Sequence, residues 1–223
     1  MTLLEQKKDC CGCAACVNIC PKTAISMVKD EIGQYYPHIN EALCVDCGAC
    51  RQVCDFQKKK ESRFGHQVIA AYGAASKDDR LIKKSASGGI FAQFAKLVLE
   101  SGGVVYGAAM LHEDKLKVKH IRIEDISQLY LIQGSKYIQS EIGDSYRKVK
   151  QDLVKGRKVL FSGTPCQAAA LRSFLKKDYE NLYIVEIVCH GVSTAQIFQD
   201  YISFLEEKKK IKNKNSMQTT VPY

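Results

Sequence analysis

From Val68 onward, apolar residues fall into short runs and helical periods that take turns along the chain. Val68 to Ala75 is an apolar run of strand length. Gly89 to Glu100 then sets Ile90, Phe91, Phe94, Ala95, Leu97 and Val98 at helical spacing, and Gly102-Gly103 closes the period. Val104 to Leu111 reads as a second strand, and Leu116 to Ile123 alternates apolar with basic residues, as a half-exposed strand does. Ile142 to Leu153 is helical, with Gly156 as its stop. Lys158 to Ser162 follows as a buried strand, Pro165 to Lys176 as a helix, Leu182 to Cys189 as another buried strand, and Ala195 to Lys208 as a helix. Strands alternating with helices predict a mainly parallel α/β sheet over residues 68–207.

Upstream, the apolar rhythm gives way to cysteine. Cys10, Cys13, Cys16 and Cys20 repeat the spacing of Cys44, Cys47, Cys50 and Cys54, each run reading C-x-x-C-x-x-C-x-x-x-C. A chain wraps a cubane iron–sulfur cluster with this spacing: three close cysteines hold one cluster and the fourth reaches to the other. One 4Fe–4S cluster is therefore expected on Cys10, Cys13, Cys16 and Cys54, and a second on Cys44, Cys47, Cys50 and Cys20. Cys11 falls out of register and reads as a spectator. Zinc sites take four ligands as separated pairs, which fits two four-Cys runs poorly. A disulfide framework needs an oxidising compartment.

These cysteines make residues 1–56 an α+β, ferredoxin-like module of two short helices and small hairpins. They resemble the bacterial two-cluster ferredoxins, with Asp55 where the second motif usually carries proline. The charged stretch 57–67 reads as a linker and the lysine-rich 208–223 as a disordered tail.

Composition narrows the setting. Met1 to Asp9 carries no apolar signal segment, and no run approaches the roughly 18 apolar residues of a membrane span. The expectation is reducing cytoplasm, with no membrane span. Of the net charge of +9, residues 1–56 hold five Lys/Arg and seven Asp/Glu, −2, and the rest 28 and 17, +11. A basic half suits nucleic acid, an acidic redox partner or a phosphate-bearing cofactor, but no nucleic-acid recognition motif accompanies it.

Three turns of the second domain precede expected helices. Ser85-Ala86-Ser87-Gly88-Gly89 offers a serine cap and open N–H groups, a ready phosphate site. Ser162-Gly163-Thr164-Pro165-Cys166-Gln167 places Thr164 as cap, Pro165 at the first helical position and Cys166 in a first turn that favours thiolate. Cys189-His190-Gly191-Val192-Ser193 ends the next strand. Both cysteines fall just past the carboxyl ends of strands, where open α/β sheets bind ligands.

Ser87-Gly88-Gly89-Ile90-Phe91, Gly134-Ser135-Lys136-Tyr137, Gly163 to Gln167 and Cys189 to Ser193 occur in the order found in the family of coenzyme F420 hydrogenase/dehydrogenase beta subunits, which the chain resembles over nearly all of residues 1–207. The resemblance implies an iron–sulfur flavoprotein with noncovalent flavin, usually FAD, between the clusters and a hydride-accepting substrate. In archaeal members that substrate is the deazaflavin coenzyme F420. It implies Ser87, Gly88 and Gly89 near flavin phosphate, Gly134, Ser135, Lys136 and Tyr137 bordering the flavin, and Thr164 and Gln167 in the same cofactor set. Cys166 and Cys189 resemble ligands of a third cluster. Family members continue further and bring a later C-x-x-C pair, so the chain is expected to stop early. The functional expectation is an oxidoreductase, or its electron-input part, working with a redox partner or subunit. The rival is a non-enzymatic electron-transfer protein whose α/β domain only docks a partner. No catalytic residue stands out.

Overall fold

The computed structural model describes residues 3–4, 6–57, 68–112 and 116–209 of the 223-residue chain. The expected linker and tail lie outside these residues, apart from Gln57, Lys208 and Lys209.

In the cysteine-rich module, α1 (Ala15–Ile19) and α2 (Ala49–Val53) accompany one antiparallel hairpin, β1 (Ile25–Lys29) and β2 (Tyr35–Ile39). Each short helix is entered through a left-handed residue, Ala14 (φ 59°) and Gly48 (φ 72°). These two follow the second cysteine of each run, so the same backbone reversal is made twice. Glycine adopts it freely, whereas alanine requires support from its surroundings. Ala14 is buried.

The second domain runs α3 (Asp79–Lys83), α4 (Ile90–Glu100), β3 (Val104–His112), β4 (Leu116–Ile123), α5 (Ser145–Val154), β5 (Val159–Gly163), α6 (Pro165–Leu175), β6 (Leu182–Glu186) and α7 (Ala195–Lys209). Its sheet has the order β4-β3-β5-β6. β3 pairs antiparallel with β4, whereas β3–β5 and β5–β6 are parallel. The α/β class holds, with one antiparallel edge strand.

Alternation along the central strands sends side chains to two cores. Val104, Tyr106, Val159 and Phe161 face α5 and α6, and Val105, Ala109 and Leu160 face α4. Burying one such side chain contributes about 1.5–3 kcal/mol relative to leaving it exposed. Ala14, Ala15 and Val53 of the module enter the first core beside Tyr146, Phe161 and Leu171. The module is thus part of the α5–α6 face.

Two expected elements differ. Val68 to Ala75 forms no strand, and Ile69 is 100% exposed. Among the described residues this apolar run pairs with neither β4 nor β6, the two edge strands of the sheet. The Leu182–Cys189 strand ends at Glu186 and is only half-buried, because β6 is an edge strand. Among the described residues, no helix is long and apolar enough to cross a membrane.

Candidate redox site

The first-run cysteines converge with the last cysteine of the second run. Cys16 lies in the electrostatic field of Cys13, Cys10 and Cys54, and Cys54 in that of Cys13. Burial, then mutual repulsion, pushes the Cys10 and Cys16 thiols up. Such a group of thiolates is stable only beside positive charge, which iron supplies. Cys20, Cys44, Cys47 and Cys50 line a second pocket, with Ile25 and Ile39 at its wall. Backbone N–H groups already point at sulfur: Gly12 N–H donates to Cys10 Sγ (3.4 Å) and Ala24 N–H to Cys20 Sγ (3.3 Å). Among the described residues, no three Cys, His, Asp or Glu side chains close on one point as around a single metal ion. A four-iron cluster takes one thiolate per iron, so its ligands enclose a volume, and this donor set fits such a group.

Cys11, outside both expected ligand sets, has neighbours of its own in the structure. Interaction with Cys13 and with Cys166, then burial, raises the pKa of its thiol. Hydrogen bonding from Cys11, then from Thr164 and the N–H groups of Gln167 and Cys166, outweighs burial and draws the Cys166 thiol down to about 6. The Cys166 turn has the local form its sequence predicts: Pro165 opens α6, and the Gln167 side chain accepts from Thr164 N–H at 3.1 Å. Thr164 Oγ1 lies 3.1 Å from Cys166 Sγ. The Tyr146 hydroxyl sits 3.0 Å from the Cys13 carbonyl and 3.1 Å from that of Gln167, spanning module and α/β domain.

Segment 137–140 joins three motifs. Ile138 bridges Ser193, and Ser193 Oγ donates to the Tyr137 carbonyl at 3.1 Å. Gln139 Nε2 donates to the Cys11 carbonyl at 2.8 Å. Ser140 Oγ accepts from Gln167 Nε2 at 3.0 Å and pairs with His120 Nδ1 at 2.9 Å. Gly12 (φ +66°) holds a left-handed backbone there that L side chains rarely adopt, and a Cβ would lie 2.5 Å from Gln139 Nε2. Cys189 follows β6, the parallel neighbour of β5, so the Cys166 and Cys189 turns share one edge of the sheet.

Beside this hub, Lys136 donates to the Gln133 carbonyl at 2.6 Å, and burial lowers its ammonium to about 8. Gln133 Nε2 is buried without a hydrogen-bond partner. One buried amide donor without a partner, beside an ammonium held by a single carbonyl, fits a ligand rich in acceptor oxygens. At the remaining motif, Gly89 (φ 73°) is the helix cap of α4, not a serine, and no side chain caps that end. None of the described hydrogen bonds ties Ser87, Gly88 or Gly89 to the other three motifs. Sequence reading gave Cys11 no role and passed over Gln133 and Gln139, whose positions carry no motif and whose surroundings are set only by the fold.

Fold and site define an iron–sulfur protein of electron-transfer type, with a two-cluster module packed on an α/β domain. Residues 9–58 match the 4Fe-4S dicluster domain. Residues 71–145 and 156–220 match the N-terminal and C-terminal models of the coenzyme F420 hydrogenase/dehydrogenase beta subunit. The chain belongs to this beta-subunit-like family. It is 20% identical over 187 residues to a subunit of the F(420)H(2) dehydrogenase of Methanosarcina mazei, covering 81% of this chain and 52% of that protein. It is 26% identical over 184 residues to the coenzyme F420-dependent sulfite reductase of Methanocaldococcus jannaschii, covering 82% and 28%. An uncharacterized ferredoxin of the same organism is 35% identical over 52 residues, 23% of this chain and 66% of that one. The chain thus spans about half the length of the dehydrogenase relative and less of the reductase.

Proposed function

We propose that Cys10, Cys13, Cys16 and Cys54 hold one 4Fe–4S cluster, that Cys44, Cys47, Cys50 and Cys20 hold a second, and that both serve an FAD in the α/β domain. The protein is then an iron–sulfur flavoprotein oxidoreductase, or its electron-input part, acting on coenzyme F420 or another hydride acceptor with a redox partner or subunit. When bound, such clusters carry single electrons and a flavin exchanges them for hydride.

The observation that carries this reading is the packing of the Cys13 turn on the head of α6, where the Tyr146 hydroxyl lies 3.0 Å from the Cys13 carbonyl and 3.1 Å from that of Gln167. It brings an expected cluster set to the sheet edge where α/β folds take ligands. Gln133 Nε2 and Lys136 Nζ are donors suited to flavin oxygens. The uncapped N–H groups at the head of α4 suit a phosphate, with Ser87, Gly88 and Gly89 as its loop. Thr164 and Gln167 shape the turn on the flavin side, and Gly134, Ser135 and Tyr137 its border. Cys166 and Cys189 are two of the four thiolates a further cluster needs.

Anaerobic absorbance with iron and flavin content per chain tests the reading. About eight irons and a bound flavin are expected. Eight irons without flavin favours a second reading, an electron-transfer protein whose α/β domain docks a partner. The open side of β6 speaks for that reading, with Tyr183, Ile187 and Val188 exposed. Absence of cluster iron removes both.

A further inference from the structure

Two charged groups stand at the two cysteine sets, and they differ in sign. Arg147 of α5 reaches into the module, and its Nε donates to the Asn18 carbonyl at 2.6 Å. Its Nη2 donates to the carbonyls of Val17 and Cys20, both at 2.9 Å. These are the last carbonyls of α1, the negative end of a helix, so the guanidinium caps it. Asn18 holds the arrangement: its Nδ2 donates to Gly143 O at 2.9 Å, and its Oδ1 faces Arg147 N–H at 3.4 Å. A guanidinium stays charged at any ordinary pH. Among the described residues, no carboxylate pairs with Arg147. A half-buried cation without an anion is costly, and its Nη2 lies on the carbonyl of Cys20, a member of one cysteine set.

Asp55 is the counterpart. It follows Cys54 directly, where two-cluster ferredoxins carry proline. Its Oδ1 accepts from Ser173 Oγ of α6 at 2.6 Å. The carboxylate is held half-buried, and its charge reaches Cys54 and Cys13.

We propose that the protein holds its two cysteine sets at unequal reduction potential, with Arg147 raising the Cys20, Cys44, Cys47 and Cys50 set and Asp55 lowering the Cys10, Cys13, Cys16 and Cys54 set. The inference rests on the reading that both sets hold clusters. Reduction adds one negative charge to a set. A fixed cation beside it stabilises the reduced form and a fixed carboxylate destabilises it, most strongly away from water. Lys22 and Arg51 also line the Cys20 pocket, against a single acid there, Asp46. A first electron therefore rests on the Cys20 set.

The test is an EPR-monitored redox titration of the full chain, reconstituted anaerobically, with iron measured on each sample. Wild type should hold about eight irons and reduce in two separate waves. Arg147→Gln should shift the upper wave to lower potential and leave the lower wave in place. Arg147→Lys, which loses the fork but keeps the charge, should stay nearer wild type. Asp55→Asn should move only the lower wave, upward. A single wave in wild type overturns the inference, as do equal shifts of both waves by either variant. Equal behaviour of Arg147→Gln and Arg147→Lys reduces Arg147 to a purely structural clamp and also overturns it. If Arg147→Gln loses a cluster, Arg147→Lys and Asp55→Asn still decide by the same criteria. Near-zero iron in wild type overturns the cluster reading itself, and is distinguishable from eight irons without the predicted shifts.

Discussion

His120 shows how one residue records its surroundings. Its ring stacks on Phe161 (centroids 5.3 Å apart) between the Ser162 carbonyl and Ser140 Oγ, both at 2.9 Å. Burial lowers its pKa from 6.5 to about 4. The unfolded chain therefore takes a proton near its ordinary value and the folded chain does not, so stability is full above about pH 6.5 and falls as pH drops toward 4. The expected loss between about pH 6.5 and pH 5 is about 1.5 kcal/mol. Urea unfolding should show that slope in wild type and a flatter one in His120→Gln. Cys11 gives a second expectation. Because its thiol is the largest influence lowering Cys166, Cys11→Ala should move the pH midpoint of Cys166 alkylation upward from about 6. Iron content should stay at wild-type level, whereas Cys13→Ser should lose a cluster. Mass spectrometry of the alkylated peptide and iron assay check both.

At the scale of elements, the α5 helix has two jobs on two faces. On one it sends Arg147 into the module. On the other its Asp152 is clamped beneath the sheet: Tyr106 donates its hydroxyl at 2.6 Å and Arg122 forks onto both oxygens at 2.8 and 3.2 Å. Burial works against the Asp152 charge, but these donors outweigh it and hold the carboxyl below its usual range. Removing Asp152 leaves the Tyr106 hydroxyl without its acceptor while Arg122 keeps Glu124 at 3.0 Å, so Asp152→Ala should cost about 2 kcal/mol. A lower denaturation midpoint with an unchanged m-value is the expected measurement.

Across the whole molecule, the module and the α/β domain share one core. Ala14, Ala15 and Val53 pack with Tyr146, Phe161 and Leu171, while Tyr35 Oη donates to Glu141 at 2.6 Å from the hairpin side. Shared burial makes unfolding of one part expose the other. Calorimetry of the full chain should therefore give a single transition rather than two, and Ala15→Glu should lower the melting temperature of the entire protein. Separate transitions for iron release and for loss of helical signal would show that the interface is weak.

Local pattern determined much of this protein. The cysteine spacing alone singles out the two-cluster module, because ligand reach is set by a few bonds of chain. The α4, β3, β4, α5, β5 and α6 segments were legible because their periods match burial on a two-sided sheet, and Thr164-Pro165 announced the start of α6 by local chemistry. Tertiary structure decided what depends on partners distant in sequence. Val68–Ala75 has the composition of a strand but pairs with none of the described strands. β6 looks like a central strand and is an edge. Cys11 is out of register along the chain, yet 155 residues later in sequence Cys166 turns back to meet its thiol. Arg147 sits in an amphipathic helix with nothing to mark it, and only the docking of α1 on α5 gives its charge a place.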